Sequence, residues 1–190
     1  RLDTRQTGTK PQTFARGAKI VYVDIEPHGL NNKIKAEFLI QQDVKDFLTA
    51  FNKLVMRYDK EKIKEWKKAI QRYKEKYPAY KILADEAIEP NFFMHKLSEF
   101  VPDDAVICAD VGQNQIWAAQ ALEIKKSQRF LTPGGMGAMG SALPMAIGAS
   151  FAKIGKTIIV ITGDGGFQLN IQELQTVYHH KLPIKIILLN

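Results

Sequence analysis

Residues 157–190 read TIIVITGDGGFQLNIQELQTVYHHKLPIKIILLN, and two runs within them decide the fold. Thr157–Thr162 and Ile184–Leu189 are almost continuous β-branched or aliphatic sequence, the pattern of central parallel strands covered on both faces. Between them Ile171, Leu174 and Val177 recur at helical spacing. Strand, helix, strand is a βαβ crossover. The fold class is therefore α/β, a doubly wound parallel sheet, with ligands expected outside the carboxyl ends of its strands.

The same grammar extends upstream. Ala105–Ala109 predicts a buried strand ending at Asp110; polar and glycine residues follow through Gln115, and Ile116–Leu122 continues as helix. Thr132–Gly140, TPGGMGAMG, is dense enough in glycine for a backbone to approach a ligand closely. Ser141–Phe151 is nearly all small or apolar, which predicts a helix packed tightly on a sheet with Pro144 in its first turn. A helix from about Asn91 presents Phe92, Phe93, Leu97 and Phe100, and Pro102–Asp104 makes a turn.

Towards the amino end, AKIVYVDIEP (18–27) predicts a buried strand and AEFLI (36–40) a second one. In the helix after them, Val44, Phe47, Leu48 and Phe51 share a face. Three segments result: 1–55, the carboxy-terminal part of one domain; 56–90, a basic helix and linker; and 91–190, a second domain.

Composition narrows the function. With 45% hydrophobic and 25% charged residues, the 190-residue chain is ordinary globular sequence. Much of its +7 charge lies in KEKIKEWKKAIQRYKEK (60–76), where three glutamates interrupt the lysines. Ile63, Trp66, Ile70 and Tyr73 form an apolar stripe there, so this is a solvated amphipathic helix, and no nucleic-acid partner is expected. No apolar stretch reaches the roughly 20 residues that span a bilayer. No membrane association is expected, and a cytoplasmic location is the simplest reading. Cys108, the sole cysteine, allows neither a disulfide nor a cysteine metal site and is expected to be buried and inert. His179 and His180 read as surface residues.

Gly163-Asp164-Gly165-Gly166 follows a strand and opens a helix, so its amides and the positive helix end suit phosphate oxygens. Asp164 adds a negative charge at that place. A divalent cation between carboxylate and phosphate reconciles the two, and magnesium prefers such oxygen ligands. A dinucleotide fingerprint is the competing reading of these glycines. Gln168 stands in place of its third glycine, and no acidic residue follows about 20 positions later.

GDGGFQLNIQELQTVYHHKLPIKIILLN resembles the thiamine diphosphate motif, which begins Gly-Asp-Gly and closes on paired asparagines. RFLTPGGMGAMGSALPMAIGAS and ICADVGQNQIWAAQ resemble the passages that precede it in acetolactate synthases, the large catalytic subunit. The resemblance implies a thiamine diphosphate-binding fold in which Asp164 is a magnesium ligand. The amides around Gly165 and Gly166 and the side chains of Gln113 and Asn114 would face the diphosphate, Asn114 standing where many relatives have histidine. Backbone near Gly137 and Met139 would hold the aminopyrimidine, and the Met139 side chain would keep the cofactor bent. Bending brings the cofactor's 4′-imino group near the carbon that must lose a proton.

RLDTRQTG, FARGAKIVYVDIEP and QQDV similarly resemble the end of a Rossmann-like middle domain in this family. By that resemblance Arg1 and Arg5 would contact the phosphates of FAD, or of ADP, while Asp24, Ile25, Asp43 and Val44 would edge its adenosine.

The family reaction decarboxylates a 2-keto acid such as pyruvate and ligates the product to a second carbonyl compound, with a place in branched-chain amino acid biosynthesis. A decarboxylase, an oxidase, an acetyltransferase or a noncatalytic module of the same fold is the alternative. The resemblance also implies a homodimer or homotetramer with active sites shared between subunits, and a regulatory subunit. The activating glutamate would lie in another domain and a further metal-binding asparagine beyond Asn190. The chain thus reads as a piece of a longer polypeptide, its last domain incomplete and the piece alone inactive.

Overall fold

In a computed structural model, residues 2–54, 60–82, 88–153 and 155–190 are described. The chain divides into two units, Arg1–Lys64 and Glu65–Asn190.

The first unit contains α1 (Thr4–Thr7), the parallel pair β1 (Val21–Asp24) and β2 (Phe38–Gln41), and α2 (Val44–Phe51). Asp43 caps α2: its carboxylate accepts a hydrogen bond from the Lys45 amide at 2.8 Å, satisfying a donor that the helix start leaves open. The buried strand expected over 18–27 is shorter and less covered than its sequence implies. Only Val21–Asp24 pair, and Tyr22 alone among them is buried. A single partner strand leaves alternate side chains of a two-stranded sheet without a second layer.

α3 (Lys64–Lys76) starts at the boundary, and the second unit holds the rest of it together with α4 (Pro90–Phe100), β3 (Val106–Ala109), α5 (Gln113–Ala121), β4 (Arg129–Leu131), α6 (Ala142–Ala152), β5 (Ile158–Gly163), α7 (Asp164–Leu169), α8 (Leu174–His179) and β6 (Ile184–Leu189). Its four strands are all parallel, in the order β4-β3-β5-β6. Alternate residues of β3 and β5 serve opposite faces of the sheet. Ile107, Ala109, Ile159 and Ile161 pack with Met94, Val101, Ala118 and Leu122 from α4, α5 and the residues that follow them. Val106, Cys108, Ile158 and Val160 pack with Ala142, Leu143 and Ala146 of α6. Each buried isoleucine or valine contributes about 1.5–3 kcal/mol. The small face of α6 explains its alanines, since it lies close against β3 and β5.

Several expectations need correction. The helix beginning near Asn91 buries Met94, Ser98 and Val101 fully and packs Phe93 and Leu97 partly against the same core, but its Phe100 is 80% exposed. It starts at Pro90, with the Glu89 carboxylate accepting from the Phe92 amide. The helix expected from Ile116 begins at Gln113, which takes Gln113 and Asn114 out of the loop. The crossover helix breaks at Asn170, giving α7, a 3-10 turn over Ile171–Glu173, and α8. Ile171 is consequently exposed. β5 is buried on both faces as expected; β6 is an edge strand among the described residues and is half-buried, with Lys185 and Leu188 exposed. β4 was not foreseen, because Arg129–Leu131 is too short and polar at one end to signal a strand.

On α3 the apolar stripe is present but uncovered, with Trp66, Ile70 and Tyr73 exposed. His179 and His180 are surface residues, yet their rings meet edge to face at 4.8 Å between centroids because the helix ends between them. Among the described residues no helix is long and apolar enough to cross a membrane.

Candidate functional site

The order β4-β3-β5-β6 means that the chain leaves β3 towards one side of the sheet and then returns past it to build the other. β3 and β5 flank the point of reversal, and a ligand crevice belongs outside their carboxyl ends. A cleft of about 290 Å³ lies there. Gly112, Gln113 and Asn114 line it from the end of β3; Gly163–Gly166 line it from the end of β5; Leu189 and Asn190 close it beside β6. Trp117 and Met139 complete the wall. Ligand pockets generally run from roughly 300 to 1,000 Å³, so this cleft suits one end of an extended ligand.

Gly163 is the N-cap of α7, and Asp164 is its first residue. The first amides of a helix have no intrahelical acceptor, which leaves the Asp164–Gly166 turn with donors for an anion. Asp164 is exposed and makes no ion pair among the described residues. No cluster of three or more histidine, cysteine, aspartate or glutamate side chains is placed to hold a metal among those residues. A lone carboxylate beside amide oxygens and an anion pocket is instead the donor set of magnesium, which keeps waters and takes phosphate oxygens. The residues present fit a magnesium-bound diphosphate.

Gln113 and Asn114 both reach the cleft, in different ways. Gln113 is exposed on the first turn of α5. Asn114 is buried, and its amide group donates to the carbonyls of Asp110 at 2.9 Å and Ile161 at 3.3 Å. It thereby ties β3 to β5 and turns its oxygen towards Gly112, whose φ of +143° and lack of a side chain admit it: a Cβ at Gly112 would lie 2.6 Å from that oxygen.

Met139 is 52% exposed, and its terminal methyl would lie 3.8 Å from a Cβ at Gly165. The glycine-rich loop thus meets the glycine turn of α7 at this side chain. Gly137 takes a φ of +67° inside that loop, and its amide donates to the Pro133 carbonyl.

Three residues of this neighbourhood escaped the reading of the sequence: Asp110, Thr162 and Asn170. Asp110 is 1% exposed and accepts from the amides of Val111 and Gly140 and from the Thr162 hydroxyl. Asn170 donates to the Gly140 carbonyl at 2.7 Å. The available signal was an acidic residue closing a wholly apolar strand run, which requires internal donors once buried. Nearby Cys108 is free and buried, and desolvation pushes its thiol up to about 11.

In the first unit Asp24 lines a separate cleft of about 630 Å³ with Tyr22, His28, Asn32 and Lys33. Its carboxylate accepts from the Glu26 amide at 3.0 Å, holding the turn after β1. Ile25 is exposed beyond that strand end, and Asp43 serves as the α2 cap. Val44 lines another cleft of about 600 Å³, with Val23, Phe47 and Leu48. Arg1 lies outside the described residues, as does the side chain of Arg5.

Residues 110–190 match the model of the family described as thiamine pyrophosphate enzyme, C-terminal TPP binding domain. The whole chain is 36% identical to the acetolactate synthase isozyme 2 large subunit of Escherichia coli, 39% identical to the chloroplastic acetolactate synthase of Arabidopsis thaliana and 37% identical to chloroplastic acetolactate synthase 1 of Zea mays. All of this chain aligns with 33%, 29% and 30% of those proteins, respectively, so it spans about a third of the length of the curated relatives it matches. Residues 110–190, the stretch that contains the cleft at the reversal of the sheet, thus match the C-terminal TPP binding domain of thiamine pyrophosphate enzymes, in a chain that resembles acetolactate synthases from end to end.

Proposed function

We propose that the complete protein decarboxylates a 2-keto acid such as pyruvate and joins the product to a second carbonyl compound, using thiamine diphosphate and Mg²⁺ in the manner of the acetolactate synthases it resembles. The convergence of Asp164–Gly166, Gln113, Asn114 and Met139 on one cleft carries this reading. When bound, thiamine diphosphate supplies the nucleophilic carbon and the electron sink that decarboxylation needs. Asp164 would hold Mg²⁺ and the amides of Gly165 and Gly166 would receive the diphosphate. Gln113 adds side-chain donors at the rim. Asn114 contributes rigidity through its bonds to β3 and β5, while Met139 would set the conformation of the reactive end.

Calorimetry with thiamine diphosphate and Mg²⁺ on the complete protein tests this, alongside pyruvate consumption. Asp164→Ala should abolish magnesium-dependent binding while the protein stays folded. Binding by wild type that ignores Mg²⁺, or wild-type affinity in folded Asp164→Ala, would refute the assignment.

The first unit fits the adenosine end of FAD or ADP. Asp24 closes β1 at the edge of its cleft, where a carboxylate can accept from ribose hydroxyls in nucleotide-binding α/β units. Arg1, Arg5, Ile25, Asp43 and Val44 are assigned there by family resemblance. Assembly as a homodimer or homotetramer with shared active sites, a regulatory subunit, a cytoplasmic location and a role in branched-chain amino acid biosynthesis belong to the same proposal. Flavin absorbance of the purified complete protein tests the nucleotide part independently.

A further inference from the structure

Gly140 is held through both its backbone amide and its backbone carbonyl. Its amide donates to the buried Asp110 carboxylate at 3.0 and 3.1 Å, and its carbonyl accepts from the Asn170 amide group at 2.7 Å. Its φ of +79° lies in the left-handed region. A Cβ there would come within 2.8 Å of the Leu169 Cβ and 3.2 Å of the Gly166 carbonyl oxygen, so the loop packs against α7 at this point with no room for a side chain. Asp110 also receives the Val111 amide at 2.8 Å and the Thr162 hydroxyl at 3.2 Å. One carboxylate therefore joins the end of β3, the end of β5 and the residue that follows Met139. It has no cation partner among the described residues; hydrogen bonds alone satisfy it.

We propose that Asp110 is a positioning residue that, together with Asn170, clasps Gly140 and so holds the Met139 side chain over the Gly165 turn. The inference rests on the thiamine diphosphate reading of the cleft. It assigns turnover partly to two side chains that need not touch the cofactor. Asp110 acts as an acceptor in this scheme, and its charge is incidental. The Asp110→Asn variant keeps an acceptor for the Gly140 amide in the same place, with an amide group left to donate to Thr162. Asp110→Ala leaves the Gly140 and Val111 amides without their acceptor.

The experiment compares Asp110→Ala, Asp110→Asn, Asn170→Ala and Met139→Ala in the complete protein. Three readouts are taken: exchange of the Gly140 amide with deuterium, calorimetric affinity for thiamine diphosphate with Mg²⁺, and turnover at saturating cofactor. Asp110→Ala should speed Gly140 exchange and lower turnover by roughly ten- to a hundredfold, with a much smaller change in affinity. Asp110→Asn should restore most of both. Combined with Met139→Ala, either Asp110→Ala or Asn170→Ala should lower turnover by less than the product of the single effects, because both act through the same side chain. If Asp110→Ala does not fold, Asn170→Ala carries the test, since it releases Gly140 without emptying the buried site.

Wild-type turnover in folded Asn170→Ala, or multiplicative effects with Met139→Ala, would overturn the inference while leaving the function intact. A wild-type protein without magnesium-dependent cofactor binding would overturn the function, and this inference with it.

Discussion

Gly165 and Gly166 are adjacent in the same short helix, and alanine at each separates the chemistry of the cleft from the packing behind it. Neither has a backbone conformation that disfavours a side chain, and alanine in place of glycine favours helix at both. That gain is common to the two variants and cancels when they are compared. At Gly165 the added methyl meets only the Met139 terminal methyl, at the ordinary van der Waals distance of 3.8 Å. At Gly166 it would lie 2.7 Å from a carboxylate oxygen of Asp110, 3.1 Å from its carbon and 3.2 Å from the Thr162 hydroxyl. Those groups are buried and mutually hydrogen-bonded, so they have little freedom to retreat. Overpacking of this kind costs about 1–3 kcal/mol. Gly166→Ala should therefore be less stable than Gly165→Ala by that amount. At a slope of roughly 2 kcal/mol per molar urea, the midpoint difference is about 0.5–1.5 M. Urea denaturation followed by circular dichroism measures it. Gly165→Ala should keep wild-type stability or better and still lose affinity for thiamine diphosphate, because its methyl adds bulk to the glycine turn that lines the cleft. Coincident midpoints for the two variants would refute the reasoning about Asp110.

Met139→Ala should lower turnover at saturating cofactor by up to roughly 100-fold while changing calorimetric affinity far less, since it removes shape rather than diphosphate contacts; equal losses in both would mean that Met139 only fills space. Cys108 provides a pH test. Its folded thiol is raised from an ordinary 9.0 to about 11, so between those values the unfolded chain loses a proton that the folded chain keeps. Stability is then fully present below pH 9 and falls as pH rises towards 11, by about 2–3 kcal/mol in total. Cys108→Ala should remove this component of the alkaline slope, as denaturation midpoints at pH 8 and pH 10.5 would show.

The crossover in residues 157–190 was legible because uninterrupted Ile and Val runs suit only strands covered on both faces, and because glycines at a strand-to-helix turn carry their backbone requirement in the residue type itself. The place of Asp164 was legible for the same reason: its neighbours in sequence fix it at the glycine turn between strand and helix, and that turn lines the cleft. Phe100 misled because helical spacing specifies that residues share a face without specifying which of two neighbouring faces meets the sheet.

The sequence by itself determined the parallel α/β class, the Asp164–Gly166 turn and the glycine-rich loop, since each depends on residue types within a few positions of one another. The tertiary structure alone decided that Asp110, Thr162, Gly140 and Asn170 share one hydrogen-bonded centre. Asp110 lies 30 residues from Gly140 and 52 from Thr162. Their meeting follows from β3 lying next to β5 with the loop before α6 folded across both strand ends. Strand order is set by how whole layers cover one another, and no local pattern of side chains encodes which loop a buried carboxylate will find.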